Sequence, residues 1–183
     1  EEYQAYYHEE MLKTFETRPY LWSTHVWNMF DFGSDMRDEG GVKGRNNKGL
    51  VTYDRKIKKD SFYIYKAWWS NDPFVHLCSS RYVDRTEKIV KIKAYSNQKA
   101  VTLYVNGKEF GTLEGDKIFV FEGVELNKGE NTIEAKSGNL TDKMVLKLVD
   151  EPNESYVLKA NGGNEGKNWF DDLETSGQLT FKE

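Results

Sequence analysis

Apolar and polar positions follow one period in the first part of this chain and another in the second, and the change falls near residue 72. Tyr3, Tyr6, Tyr7, Met11 and Phe15 recur at helical spacing, which predicts a helix over residues 2–16, and Glu1 and Glu2 suit its positive end. Arg18-Pro19 predicts its stop, because the residue before a proline avoids the α region. Tyr20 to Phe32 is apolar and aromatic with few breaks, the pattern of a strand buried on both faces, as in a parallel sheet. Gly33 to Gly49 is polar and contains Gly40-Gly41; it predicts a long loop, a kind of segment that often carries function. Lys58 to Trp69 predicts a second helix, with Phe62, Tyr65, Lys66 and Trp69 on one face and the lysine stem lying along it. Helix, buried strand, long loop and helix form the end of an α/β unit. In a (β/α)8 barrel the loop after such a strand helps to build the active-site face.

From residue 73 to 149 the period shortens towards two. Ile89–Tyr95 alternates in part and Val101–Val105 alternates cleanly. Asn106-Gly107 follows, a strong hairpin signal because both central residues of a type I′ turn need positive φ. Lys108–Leu113 is the expected return strand, and Ile118–Phe121, Asn131–Lys136 and Met144–Val149 are further strands. Lys128-Gly129 and Ser137-Gly138-Asn139 supply turns between them. Short strands at this spacing predict an immunoglobulin-like β-sandwich able to fold alone. Residues 151–183 read as a polar linker or tail around Asn161-Gly162-Gly163-Asn164, with Trp169-Phe170 as an isolated anchor. The expected organisation is therefore 1–70, 71–150 and 151–183.

Composition narrows the function. The 183 residues carry 26 basic and 30 acidic side chains, a net charge of −4, with no basic stripe, so nucleic acid is not an expected partner. No apolar run is long enough to span a membrane. Cys78 is the single cysteine, which excludes a disulfide framework and a cysteine metal site; His8, His25 and His76 have no metal-site spacing, so neither metal nor cofactor is expected. Gly40-Gly41 lacks the following residues of a phosphate loop. The opening Glu1-Glu2-Tyr3-Gln4 shows neither an initiator methionine nor a secretory signal, as expected of a piece of a longer chain. Trp22, Trp27, Trp68 and Trp69 fall in the first part, where aromatic rings serve either as core or as platforms for the C–H face of a sugar. Tyr95, Tyr104 and Phe110 offer the sandwich the same two alternatives, with core or cross-strand packing the commoner one.

Three segments together carry a resemblance. Val26-Trp27-Asn28-Met29-Phe30-Asp31-Phe32 is similar to the last barrel strand of glycoside hydrolase family 2. Asn46-Asn47-Lys48-Gly49-Leu50-Val51-Thr52-Tyr53-Asp54-Arg55-Lys56 resembles the segment after that strand, and Lys59-Asp60-Ser61-Phe62-Tyr63-Ile64-Tyr65-Lys66-Ala67-Trp68-Trp69 resembles the last barrel helix. Ser34–Gly40 resembles the β-galactosidase branch, so the resemblance implies the end of a (β/α)8 barrel from an enzyme acting on β-galactosides, with a β-glucuronidase as the alternative. A non-catalytic carbohydrate-binding or spacer module is the reading from a different class.

The family uses two glutamates, and the resemblance places both in the chain that precedes this one. No residue here is expected to be catalytic, and the rest of the parent chain is an expected partner. Glu2 opens a helical pattern and does not end a buried strand, which argues against a nucleophile there. Trp27 matches a family tryptophan that packs against the sugar, with a core tryptophan as the alternative. Asn46 and Lys48 match an Asn-x-Lys pattern that resembles the sugar-carboxylate site of β-glucuronidases. Trp27, Asn46 and Lys48 are thus the candidate substrate-binding residues. Asp31, Asp35, Arg37 and Glu39 are further polar groups near the same loop, more often solvated or salt-bridged than ligand-binding.

Overall fold

In a computed structural model, which describes residues 1–39, 42–151, 173–175 and 179–181, the first element is the expected helix, α1 (Glu2–Glu16). Its buried face consists of Ala5, His8, Glu9 and Leu12, whereas Tyr3, Tyr6 and Tyr7 are exposed. The aromatic stripe read from the sequence has the right period but is not the face that packs inward. The helix ends at Thr17, and Arg18 N–H closes on the Phe15 carbonyl.

The expected strand at Tyr20–Phe32 is not a strand for most of its length. Residues 21–26 lie outside any ladder, and Tyr20, Leu21, Trp22 and Trp27 are exposed. An apolar run becomes a buried strand only where neighbours take up its N–H and C=O groups. Here backbone partners begin late: Leu50 N–H bonds to the Asn28 carbonyl, Val51 N–H to that of Met29, and Asp31 N–H to that of Val51. These bonds form a short parallel bridge between Phe30 and Val51.

The expected long loop at Gly33–Gly49 is instead a β-hairpin. β1 (Phe32–Glu39) pairs antiparallel with β2 (Val42–Asn46), and β1 bulges between Gly33 and Asp38. The Gly40-Gly41 pair lies outside the described residues. Polar composition concealed the hairpin, because a two-stranded ribbon with wet faces has no apolar alternation to betray it.

Helix α2 (Asp60–Trp69) begins two residues later than expected. Its buried residues are Asp60, Ser61, Ile64, Tyr65 and Ala67; Tyr65 is buried as predicted, but Trp69 is exposed. The chain divides into two compact units, and the division falls after Phe62, inside this helix.

In the second unit the expected β-sandwich is present. One sheet has the order β4 (Asp84–Arg85), β10 (Leu140–Leu148), β9 (Gly129–Ser137), β6 (Ala100–Val105), β7 (Lys108–Glu114). The other has the order β3 (Val75–Leu77), β5 (Ile89–Ser96), β8 (Lys117–Glu125). Alternate residues point inward. Ile92 and Ala94 of β5, Val101 and Leu103 of β6, Ile133 and Ala135 of β9 and Met144 and Leu146 of β10 share one core with Phe119 and Phe121 of β8. A bulge in the β5–β8 ladder, where Gly123 has φ 72°, lets Phe121 and Val124 both face inward although they are three residues apart. The Asn106-Gly107 turn joins β6 and β7 with φ of 52° and 78°, the positive pair that a type I′ turn requires. β11 (Leu173–Thr175) and β12 (Leu179–Phe181), which belong to the first unit, form a small antiparallel pair; Trp169-Phe170 lies outside the described residues.

Two residues make this fold testable. Asn131 is fully buried; its side chain accepts from Asn106 Nδ2 and Asn127 N–H and donates to the carbonyls of Asn127 and Gly129, at 2.7–3.0 Å. Asn131→Ala removes four side-chain hydrogen bonds from a fully buried position, and we expect a loss of about 3 kcal/mol in urea unfolding. His8 is buried, and desolvation pushes its imidazole from 6.5 down to about 4. The unfolded chain therefore takes up a proton below about pH 6.5 that the folded chain refuses until about pH 4, so this group lowers stability as pH falls through that window. Unfolding midpoints measured across the window should fall less in His8→Gln; an equal fall would assign the effect to other groups.

Candidate functional site

The first unit gathers its polar groups around the turn that leaves β2. Asn46, buried, ends that strand opposite Phe32, and its Oδ1 accepts the Lys48 N–H at 2.9 Å. Its Nδ2 is the donor that Asn46 can offer an anionic ligand. The Lys48 side chain is exposed.

The turn rests on Asp31. This carboxylate, at the end of the segment that carries Trp27, is buried, and its Oδ1 accepts the Gly49 N–H at 2.9 Å and the Lys59 ammonium at 2.8 Å. The same ammonium donates to the Asn47 carbonyl at 2.9 Å. Lys59 is itself fixed by its backbone, which donates to the Leu50 carbonyl. From α1, the Gln4 amide donates to the carbonyls of both Lys48 and Gly49 at 3.1 Å. Glu1 contributes a further link, accepting the N–H of Asp60 at the start of α2 at 2.8 Å.

Gly49 is required by space. A Cβ there would lie 2.0 Å from the Asp31 nitrogen and 2.2 Å from the Phe30 carbonyl carbon. Both are backbone atoms that cannot turn aside. The glycine thus lets the turn lie against the 28–31 segment closely enough for the Asp31 contact to form.

Trp27 is 72% exposed and meets Phe32 edge-on, with ring centroids 6.0 Å apart. The Trp27–Asn28 peptide is cis. Phe32 is thus next to both Trp27, through its ring, and Asn46, through strand pairing. Of the other polar groups read from the sequence, Asp31 is salt-bridged, Asp35 is exposed on β1, and the side chains of Arg37 and Glu39 lie outside the described residues. Glu2 is the first residue of α1. Sequence reasoning missed Gln4, Gly49 and Lys59 as a set. The signal available for them was the glycine directly after the Asn-x-Lys pattern and the second lysine of Lys58-Lys59, directly before a helix. Among the described residues no cluster of His, Cys, Asp and Glu could hold a metal ion, and no helix is long and apolar enough to cross a membrane.

Known proteins share this segment. The chain is 39% identical over 157 residues to a β-glucuronidase of Bacteroides fragilis, covering 82% of this chain and 23% of that one. It is 34% identical over 145 residues to a putative β-glucuronidase of Formosa agariphila, covering 74% and 17%. A β-galactosidase of Bacteroides ovatus is 27% identical over 109 residues, covering 60% and 13%. Among solved structures, the FMN-binding β-glucuronidase of Facaelibacterium prausnitzii L2-6 matches with 52% identity and a TM-score of 0.81, over 85% of this chain and 24% of that one. A putative β-galactosidase from Bacteroides fragilis matches with 38% identity and a TM-score of 0.72, over 80% and 23%. No family model matches. The chain spans less than a quarter of each of these curated relatives. The relatives are glycoside hydrolases, and the chain is homologous to a segment of them. Within that class, more of these names are β-glucuronidase than β-galactosidase.

The buried ion pair gives a direct test. Lys59→Met leaves the Asp31 carboxylate buried and unpaired, and we expect a loss of roughly 3–5 kcal/mol in the first unit. Urea unfolding followed by residue-resolved hydrogen exchange reads this. A loss spread equally over the sandwich, or none, would show that the pair does not hold the turn.

Proposed function

We propose that this chain is the C-terminal part of the catalytic barrel of a family 2 glycoside hydrolase, followed by an immunoglobulin-like module, and that the intact protein is a retaining β-glucuronidase. The carrying observation is the turn at Asn46–Lys48, with its amide donor and exposed ammonium. A glucuronide differs from a galactoside by a carboxylate, and an ammonium beside an amide N–H is a fitting partner for that group. The names of the relatives support the same choice, so the galactoside expected from residues 34–40 takes second place to the glucuronide. The FMN in the name of the F. prausnitzii protein belongs to that protein and enters no step of this reading.

In this reading the substrate sits over the exposed Trp27 ring, which packs on the C–H face of the sugar, while Lys48 and Asn46 hold its carboxylate. Two glutamates from the rest of the parent chain do the chemistry. One carboxylate attacks the anomeric carbon as the other protonates the departing oxygen. Water then cleaves the glycosyl ester, so the configuration is retained. The 183 residues supply binding and orientation, and alone they should be inactive.

The test is hydrolysis of p-nitrophenyl β-D-glucuronide and p-nitrophenyl β-D-galactoside by the intact protein and by the 183-residue chain. We expect turnover by the intact protein only, with kcat/KM higher for the glucuronide. Trp27→Ala in the intact protein should lower kcat/KM by about a hundredfold with an unchanged melting temperature. A galactoside preference would return the reading to the neutral sugar, and turnover by the chain alone would overturn the division of labour.

A further inference from the structure

In the Asn46–Gly49 turn Asn46 and Gly49 are buried and Lys48 is exposed, and side chains hold five of its backbone groups. The carbonyls of Asn47, Lys48 and Gly49 and the N–H groups of Lys48 and Gly49 all have side-chain partners. These partners come from far apart in sequence: Gln4 on α1, Asp31 before β1, Lys59 before α2, and Asn46 within the turn. Asp31 and Lys59 are buried, so they act on whatever the turn binds through the turn itself. A lysine is a compact charge on a flexible stem, and the volume it searches is set by where its Cα is fixed.

We propose that Gln4, together with the Asp31–Lys59 pair, positions Lys48 and Asn46 for an anionic sugar, and so sets the preference for a uronic acid over a neutral sugar. This inference rests on the glucuronide reading above and adds to it three positioning residues outside the Asn-x-Lys pattern. Gln4 is the informative member. Its amide makes two bonds to the turn, both to backbone carbonyls, and removing it leaves no buried charge behind.

The experiment uses the intact protein with three variants, Gln4→Ala, Gln4→Glu and Lys48→Ala, assayed on p-nitrophenyl β-D-glucuronide and p-nitrophenyl β-D-galactoside. For Gln4→Ala we expect KM for the glucuronide to rise about tenfold while kcat changes by less than about twofold, and the galactoside KM to stay nearly constant. Gln4→Glu sets a carboxylate against two carbonyl oxygens and should raise the glucuronide KM further. In parallel, hydrogen exchange at the Lys48 and Gly49 amides should speed up in Gln4→Ala while that of Leu103 and Ile133 in the sandwich stays unchanged. If Lys48→Ala itself leaves the glucuronide KM unchanged, the substrate reading fails and carries this inference down with it. If Lys48→Ala raises KM but Gln4→Ala does not, the positioning role alone is overturned. That role is equally overturned if Gln4→Ala lowers kcat on both substrates together with the melting temperature, since that is the signature of a general structural loss.

Discussion

Withdrawing a carboxylate and an ammonium from water together is costly, and the first unit is organised around one such pair. Asp31 and Lys59 lie 28 positions apart, both buried, with 2.8 Å between Oδ1 and Nζ. Coulombic attraction alone seldom repays the desolvation of such a pair; further hydrogen bonds to both partners are needed. Asp31 obtains one from Gly49, and Lys59 gives one to the Asn47 carbonyl. The pair is therefore also a knot. It ties the segment before β1, the turn after β2 and the residue before α2, and the bridges of Val51 with Phe30 and with Lys58 lie alongside it. The absence of a side chain at Gly49 is what allows these segments to meet at backbone distance.

The sandwich solves its packing problem in another way. Its core is made of alternating apolar residues from two sheets, and a fully buried polar residue, Asn131, stitches the β8–β9 turn to the β6–β7 turn. Elsewhere in the same unit, Asn97 bonds to the carbonyls of Ser70 and Asp72 and accepts the Phe74 N–H, fixing the chain as it leaves α2. The ring of Tyr63, one turn into that helix, stacks on His76 with centroids 3.6 Å apart. His76 lies 3.4 Å from Asp142. Although burial pushes the Asp142 carboxyl up, bonds to His76 and to the Leu77 N–H more than offset it and hold the group below its usual range.

How much of this was legible depends on whether the pairing was local. α1, α2 and the strands from Ile89 to Leu148 were readable because each period is a property of a few consecutive residues, and Asn106-Gly107 named its own turn type. The segment Tyr20–Phe32 misled, since its composition reports what the residues suit while burial depends on neighbours distant in sequence. The β1–β2 hairpin was hidden for the opposite reason: its polar residues look like a loop although the backbone pairs. At the candidate site, Asn46, Lys48 and Trp27 could be read from pattern. Gln4, Asp31 and Lys59 could not be read as a set, because nothing in their wide separation along the chain says that one turn receives all three.

The Asn106-Gly107 turn has a chemical consequence. An asparagine before a glycine ages when the glycine nitrogen attacks the side-chain carbonyl carbon, closing a ring and releasing ammonia. That attack requires the amide to swing over its own following peptide. Here the amide is occupied at both ends: Nδ2 donates to Asn131, and Oδ1 accepts the Thr132 N–H. While β6 and β9 stay paired the side chain is turned away from its attacker. The sequence most prone to deamidation in the sandwich is thus a clock that runs only when the strands part, and its rate over months of storage would record how often they do.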